Sequence, residues 1–298
     1  MNGRERPRRR GSRRLVRLVT NPSGAIATVI VVTFLLMTVA GTWIAPYDAT
    51  ELGAGIPLQG PSAQHWFGTD ELGRDTLSRV ISAARVAVSV SVISVALAMV
   101  IGGILGIIAG YARGLTDKIL VRVMDVMFSF PTLLLAIVIV AVLGPGLVTA
   151  SVAIAIVYIP RFARVARGAA LGIRNELYIE AAVLSGVHPI RIARRHVIPN
   201  ITAPMTVLAA LSMSTAQLAY AALSFLGLGT LPPQADYGSM LARARNFMTI
   251  APSMVIFPSI ALILLIVGFN LFGDALRDVL DPRASRGKGS IQGVEATI

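Results

Sequence analysis

The 298-residue sequence contains no cysteine, only three histidines and only two lysines. Without cysteine the chain cannot form a disulfide, a metal–thiolate site or a thiol nucleophile. Lys118 precedes Ile119 and Lys288 precedes Gly289, so neither lysine completes the Gly-x4-Gly-Lys-Ser/Thr loop that binds nucleotide phosphates. Any ATPase that works with this chain must therefore be a separate subunit.

Charged residues are also scarce, at 14% of the chain compared with about 25% in ordinary globular domains. Apolar residues reach 55% and the mean hydropathy is +0.73, which indicates an integral membrane protein. The length allows about six spans of roughly 20 residues with their connections. The net charge of +12 needs no nucleic acid partner, because basic residues gather in the cytoplasmic loops of membrane proteins.

Residues suited to catalysis are few. His65, His188 and His196 do not lie at metal-ligand spacing from one another, so we predict no metal site. Glu176 and Glu180 share one helix face at i and i+4, but seven nearby arginines favour solvated ion pairs over acid–base chemistry. A membrane-embedded hydrolase would also need a nucleophile–base pair that the sequence lacks. The sequence predicts a non-catalytic chain with no cofactor of its own.

Long uncharged or nearly uncharged runs divide the chain. The first run is longer than the roughly 7–15 apolar residues of a signal peptide, so we interpret it as a retained helix. Pro131 predicts a kink in the third run. The runs are residues 24–45, 86–110, 123–143, 146–160, 203–225 and 253–273. We expect a basic cytoplasmic segment at 1–23, an extracytoplasmic segment at 46–85, a five-helix core at 86–273 and a polar cytoplasmic tail at 274–298.

The fourth run has only 15 residues, which is also compatible with a re-entrant segment. With six spans and both ends inside, 22 Lys and Arg lie inside and five lie outside, as the positive-inside rule requires. If the fourth run did not cross, the seven arginines between 161 and 195 would lie outside. Arg161 can also extend its side chain to the interface and lengthen the usable span.

Within the spans, two patterns bear on function. Gly102, Gly106 and Gly110 recur on one helix face and predict close approach of a neighbouring helix. Asp125 is the one ionisable residue inside a run, near its cytoplasmic end, where an interfacial carboxylate is expected. Ion-coupled carriers usually need charged relays at membrane depth, so a secondary transporter is disfavoured, although backbone carbonyls can form Na⁺ sites.

A polar, Arg-rich insert at 178–200 separates the fourth and fifth runs. Leu177, Ala181 and Leu184 predict a short helix with one apolar stripe. Gly186 predicts a break, Pro189 the start of a second helix, and Pro199 its end before the fifth span. Such a helix pair could dock a cytoplasmic partner, and an amphipathic helix lying on anionic lipid would look similar.

The spacing of this insert resembles the EAA loop of ABC importer permeases. The matching residues are Glu180-Ala181-Ala182, Gly186, His196 and Ile198-Pro199. The general pattern has Ile two places before Leu-Pro, where this chain has His196 before Ile198-Pro199, and this departure is similar to the peptide/nickel branch. Three further stretches resemble the C-type permeases of that branch, so that the resemblance covers about residues 22–284: HWFGTD with LGRD and SRV at 65–80, LSFLGLG at 223–229, and GFNLFGD with RD and LDP at 268–282.

The resemblance implies an all-α membrane protein with six transmembrane helices, the type I ABC importer permease fold and a cytoplasmic EAA coupling helix within about 174–200. It also implies a homologous second permease, two ATPase subunits that bind ATP and Mg, an extracytoplasmic solute-binding protein and a bacterial inner membrane as the location. Glu180, Ala181, Ala182, Gly186, His196 and Pro199 would couple the chain to the ATPase. Di- or oligopeptides are the leading substrates, and nickel chelates, glutathione, opines and oligosaccharides are alternatives. A stand-alone channel or carrier is the rival class.

Asp70, Arg74 and Asp75 precede the second run and lie outside by this topology. One hypothesis is a polar cluster that contacts the binding protein or caps the second helix. The other is an ion-paired turn that fixes the chain leading into that helix.

Overall fold

The computed structural model describes residues 22–111 and 114–280, and within these ranges the chain is helical with no named strand. Most of the predicted basic N-terminal segment, Arg113 and the tail from residue 281 lie outside the described residues. The helices are α1 (Pro22–Ile44), α2 (Thr76–Tyr111), α3 (Leu115–Phe128), α4 (Thr132–Leu143), α5 (Leu147–Arg174), α6 (Leu177–Leu184), α7 (Pro189–Ile192), α8 (Ile198–Phe225), α9 (Tyr237–Ala244) and α10 (Ser253–Leu280).

Five helical stretches of the described chain are long and apolar enough to cross a membrane, and a bent pair brings the number to six. The five are α1, α2, α5, the continuous stretch Pro189–Phe225 and α10. The sixth is α3 with α4, which meet at an angle of 95°. Pro131 lies at this bend, but it ends one helix and precedes another instead of kinking a single helix. Proline restricts the residue before it to extended conformations, so Phe130 cannot continue α3.

Five helices extend at least five residues beyond the apolar runs of the sequence, among them α3, which begins at Leu115, and α8, which begins at Ile198. α2 begins at Thr76, ten residues before the run at 86; α5 continues past Pro160 to Arg174; and α10 continues to Leu280. The added turns of α2 and α5 bury small side chains against neighbouring helices, as Ala83 and Ala166 show. A hydropathy run detects the part of a helix that lipid surrounds, so it misses turns that are polar outside and packed inside.

The predicted close approach at the three glycines of α2 is confirmed. Their neighbour is α5, which runs parallel to α2. A Cβ at Gly102 would lie 2.6 Å from the carbonyl oxygen of Ile159, and one at Gly110 would lie 2.8 Å from the Cβ of Ala170. At Gly106 an added Cβ would collide with the carbonyl oxygen of Ala163. The two backbones are therefore in direct contact along this seam.

Three hydrophobic clusters form the core of the described residues, the smallest of them around Ala251 and Met254, and α2 contributes to the two larger ones. One lies among α2, α4, α5 and α8, around Phe162 and Tyr220. The other lies among α1, α2, α9 and α10, around Phe34 and Leu265. Polar contacts join the helices inside this core: the Ser91 hydroxyl donates to Gln217 Oε1 (3.0 Å), that of Ser94 to the Ser151 carbonyl (2.9 Å), and that of Ser214 to Asn270 Oδ1 (2.7 Å).

Candidate coupling segment and polar turn

The coupling segment, residues 176–200, connects the end of α5 to the beginning of α8. Its first helix, α6, is held by Ile179, whose side chain is buried. The predicted apolar stripe faces outward: Leu177 is 81% exposed and Leu184 is 88% exposed, and Ala181 is exposed between them. Leucines this exposed on a short, ordered helix form an apolar surface of the kind that marks interaction sites.

The predicted break at Gly186 is confirmed. The Gly186 N–H donates to the Val183 carbonyl (3.0 Å), and the Val187 N–H donates to the Ala182 carbonyl (3.1 Å). This pair of bonds is a Schellman motif, which places its glycine in the left-handed region, and Gly186 has φ +74°. The end of α6 is thus defined by backbone bonds that only glycine satisfies without strain.

The second helix begins at Pro189, as predicted, and the His188 ring accepts a bond from the Ile190 N–H (3.3 Å). The prediction that Pro199 ends this helix is wrong. A π-helical turn at Ala193–Val197 joins α7 to α8 without interruption. Its wider i to i+5 bond, from the Ile198 N–H to the Ala193 carbonyl, gives Pro199 room where an α-turn would clash.

The two halves of the segment touch through aromatic side chains. The His196 ring lies 5.6 Å from the Tyr178 ring between centroids, tilted by 53°. Asn200 Nδ2 donates to the His196 carbonyl (2.7 Å), which occupies a backbone acceptor near the π-turn. His196 therefore lies inside the segment and braces α6, while Pro199 lies in the first turn of α8.

The expected ion pairs of Glu176 and Glu180 are not formed, since neither glutamate pairs with a base among the described residues. Two arginines of α5, Arg164 and Arg167, bind the acids of α3 instead. Arg167 makes a two-pronged contact with Asp117 (2.7 and 2.8 Å). Asp125, the one ionisable residue inside an apolar run of the sequence, lies 3.1 Å from Arg164. Glu180 remains exposed beside a cavity of about 450 Å³ that Tyr111, Arg174, Ile179, Val183 and Leu184 line with it.

The polar turn, residues 65–79, contains the second group of predicted site residues, and the structure buries all three. Asp70 accepts bonds from the N–H of Leu72 (2.9 Å), the N–H of Arg74 (3.0 Å) and the Arg74 guanidinium (2.6 Å). Asp70 is 5% exposed, Arg74 2% and Asp75 1%. The side chains face inward, and their pairing is that of an ion-paired turn.

Asp75 occupies the position before the first residue of α2. Its carboxylate accepts bonds from the Ser78 N–H (2.8 Å) and the Ser78 hydroxyl (2.7 Å), which is the geometry of a helix N-cap. The other carboxylate oxygen lies 2.9 Å from His65 Nδ1. One aspartate thus starts α2 and fastens the preceding loop to it.

Sequence reasoning gave no role to two buried residues that complete this region. Arg79 is 2% exposed; its guanidinium donates to the Ala49 carbonyl (2.9 Å) and lies 3.4 Å from Asp70. Asp236 caps α9 through the Ser239 N–H (3.0 Å) and also accepts bonds from the hydroxyls of Ser224 and Thr230. The position of Arg79, one helical turn after the capping residue Asp75, could have indicated that its guanidinium lies near the polar turn. The partners of Asp236 come together only in the folded chain, so the sequence offers no such indication for it.

Beside this cap, Tyr237 fastens α9 to α2, because its hydroxyl donates to the Val80 carbonyl (3.1 Å). Burial raises the pKa of the Tyr237 hydroxyl far above its usual range. The group therefore stays protonated and keeps its donor role.

Comparison with known proteins identifies the family. Residues 102–286 match the family described as "Binding-protein-dependent transport system inner membrane component", which is more than half of the chain. The chain belongs to this family. It is therefore an inner-membrane permease of the ABC importer type, which in general works with an ATPase and a solute-binding protein.

Similar proteins over nearly the full length carry transport names. The chain is 42% identical to the dipeptide transport system permease protein DppC of Alkalihalophilus pseudofirmus, covering 89% of this chain and 88% of that protein. It is 40% identical to the probable D,D-dipeptide transport system permease protein DdpC of Escherichia coli, covering 92% of each. It is 42% identical to the glutathione transport system permease protein GsiD of Pectobacterium atrosepticum, covering 84% and 85%.

The fold is also that of a solved transporter chain. A chain of the MetNI methionine ABC transporter, in inward-facing conformations, superposes with a TM-score of 0.57 at 18% identity. The superposition covers 68% of this chain and 96% of that one. The type I importer fold expected from the sequence is thus confirmed.

Proposed function

We propose that this chain forms one half of the translocation pathway of an ATP-driven peptide importer, and that the coupling segment receives the movement of an ATPase subunit. The observation that carries this proposal is the uncovered stripe of α6. Two leucines more than 80% exposed lie on a helix that Ile179 and a Schellman turn hold in a fixed orientation. A partner that covers the stripe would bury apolar area without first ordering the helix.

The connection of α6 to the spans supports transmission of that movement. α5 enters the segment at Arg174, and the continuous stretch Pro189–Phe225 leaves it. A push on α6 is therefore delivered to two spanning helices at once. In an alternating-access cycle, ATP binding would draw the two ATPase subunits together and α6 would carry the spans toward the outward-facing state; hydrolysis would reset them.

The other subunits of the transport complex follow from the same proposal. A homologous permease supplies the other half of the pathway, two ATPase subunits bind ATP and Mg, and an extracytoplasmic solute-binding protein delivers the substrate. Both chain ends lie in the cytoplasm, because this orientation keeps 22 of the 27 Lys and Arg inside. The relatives above are named for dipeptides and for glutathione, a tripeptide, which supports short peptides as the substrate class.

We assign Asp70, Arg74 and Asp75 a structural role at the extracytoplasmic end of α2. Their side chains are directed at one another, at His65 and at Ser78, which leaves no charged group of the three to present to a binding protein. The surface of the loop around them remains available for that contact.

The test of coupling compares two exposed glycines, Gly186 in the turn after α6 and Gly172 in the last turns of α5. Nothing lies within 4 Å of an added Cβ at Gly186 or at Gly172, but only Gly186 has a positive φ. We expect Gly186→Ala to strain the turn by roughly 1 kcal/mol and to lower the ATPase stimulation produced by loaded binding protein. Gly186→Pro, which cannot adopt φ +74°, should abolish it.

Gly172→Ala is the control and should leave stimulation unchanged. Membrane insertion of all three variants should equal that of the natural protein, because Gly186 is exposed outside the spans. Normal stimulation in Gly186→Pro would refute the coupling role. Purification of the chain without a second permease and an ATPase would instead favour a stand-alone channel or carrier.

A further inference from the structure

A cavity of about 420 Å³ opens where the bend between α3 and α4 meets α5 and α8. Most of its wall is apolar, and Thr132, Tyr158 and Thr215 add hydroxyl groups. Arg161 supplies the one charged side chain among the lining residues. The apolar part of the wall consists of Phe128, Leu133, Val157, Leu218, Ala219 and Ala222.

Arg161 differs from the next two arginines of α5 in its partners. Arg164 pairs with Asp125 (3.1 Å) and lies over the Phe128 ring at 4.1 Å from its centroid. Arg167 pairs with Asp117 (2.7 Å). Arg161 forms no ion pair within residues 22–111 and 114–280, and no acid lines the cavity. Its positive charge is therefore unbalanced among the residues that the structure describes.

The position of Arg161 places this charge inside a spanning helix. Arg161 follows Pro160 and is the first charged residue of α5, 14 residues after Leu147, or roughly 21 Å along the helix axis. Ionisable groups at such positions are costly and are kept where they face a cavity and bind a partner. A guanidinium binds a carboxylate through two parallel hydrogen bonds, so it is well suited to that group.

We propose that Arg161 binds a carboxylate of the transported peptide in this cavity. The proposal rests on the peptide importer function above and names a residue of the pathway that discriminates among its substrates. An apolar wall with one cation matches a short peptide, which carries apolar side chains and a terminal carboxylate. The hydroxyl of Thr215, on the facing helix α8, belongs to the same wall. It donates to the Ser212 carbonyl (3.1 Å) in this structure, and rotation of the hydroxyl would redirect its one proton to the second carboxylate oxygen.

The experiment measures uptake by the complete importer in proteoliposomes, supplied with its binding protein at saturating peptide. Each variant is given a dipeptide and the same dipeptide with a C-terminal amide, and the result is the ratio of the two uptake rates. The binding protein is the same throughout, so its own preference cancels between variants. We expect Arg161→Gln to lower this acid-to-amide ratio roughly tenfold to a hundredfold, the loss typical of a charge-assisted bond.

Two variants make this result specific. Arg164→Gln removes a positive charge on the same helix, one turn from Arg161. Arg164 does not line the cavity, so this variant should leave the ratio unchanged. Thr215→Val removes only a hydroxyl, and should lower the ratio by a smaller factor in the same direction. This second variant keeps the inference testable if the Arg161→Gln chain itself fails to fold and cannot be purified.

The outcomes separate this inference from the function on which it rests. Peptide uptake by the natural importer with an unchanged ratio in Arg161→Gln overturns the carboxylate site and leaves the importer intact. Loss of the second permease from purified Arg161→Gln complexes overturns it too, because Arg161 would then pair with that subunit. A ratio that depends on anionic lipid in the vesicles assigns Arg161 to a lipid phosphate instead. No peptide uptake by the natural importer refutes the proposed function itself.

Discussion

The polar turn and the coupling segment both contain acids and arginines, but the polar turn buries most of these side chains whereas the coupling segment exposes them. In the polar turn, acids and arginines are buried and bound to one another, as Asp70 is to Arg74. In the coupling segment, Glu180 and the leucines of α6 are exposed, and their charges and apolar surface have no partner among the described residues. The comparison teaches that the buried charges of the first region have their partners among the described residues, whereas the second region exposes the surface that we propose an ATPase subunit covers.

Arg79→Ala tests the completeness of the polar turn with the largest expected effect. Removal of this buried guanidinium takes away one of the two arginines beside Asp70 and the hydrogen-bond donor of the Ala49 carbonyl. Breaking a buried pair in this way costs about 3–5 kcal/mol. The measurement is unfolding of the purified chain in detergent by a denaturant titration. Arg85→Ala is the matched control, because Arg85 lies on the same helix but is exposed, and its loss should change stability little.

Asp75→Ala should have a smaller effect of about 1–2 kcal/mol, the usual cost of losing an N-cap. The variant removes the acceptor of the Ser78 N–H and the partner of His65. Asp75→Asn keeps a side-chain oxygen at the cap, and should recover most of that stability. Equal losses in the two variants would show that the charge of Asp75, and not its capping bond, stabilises the turn.

Leu184→Asp should have the smallest effect on stability, within about 0.5 kcal/mol, because the side chain touches little of its own chain. The same change should abolish ATPase stimulation in the assembled importer, since it places a charge in the surface that we propose the ATPase covers. Leu115→Asp, at an exposed leucine outside the segment, is the control and should preserve stimulation. Stimulation that survives Leu184→Asp would show that the stripe of α6 is not the contact.

The sequence predicts those features whose cause is local. A glycine followed three residues later by a proline predicts the break at Gly186 and the start at Pro189, because both act through their own backbone angles. Glycines at every fourth position predict a helix seam without naming the second helix. The same kind of reasoning fails at Pro199, since a proline ends a helix only where no π-turn makes room for its ring.

Other features depend on partners far away in the sequence. The extension of α5 past Pro160 is stabilised by Asp117 and Asp125 of α3, and by the glycines of α2. Burial of Arg74 and Asp75 could not be read from their type, because charged residues in a loop are usually exposed. The polar turn combines the capping part of one hypothesis, at Asp75, with the ion-paired turn of the other, at Asp70 and Arg74.

The glycine seam between α2 and α5 has a mechanical consequence. Two parallel helices whose backbones touch at three successive turns form a pair that is stiffer against bending than either helix alone. α2 is 36 residues long and α5 is 28 residues long, so the two helices extend roughly 40–55 Å. Arg174 is the last residue of α5, and the coupling segment begins two residues later at this end of the helix pair. Under the coupling role proposed above, a small displacement there would tilt the opposite end of the two helices, because the pair bends little.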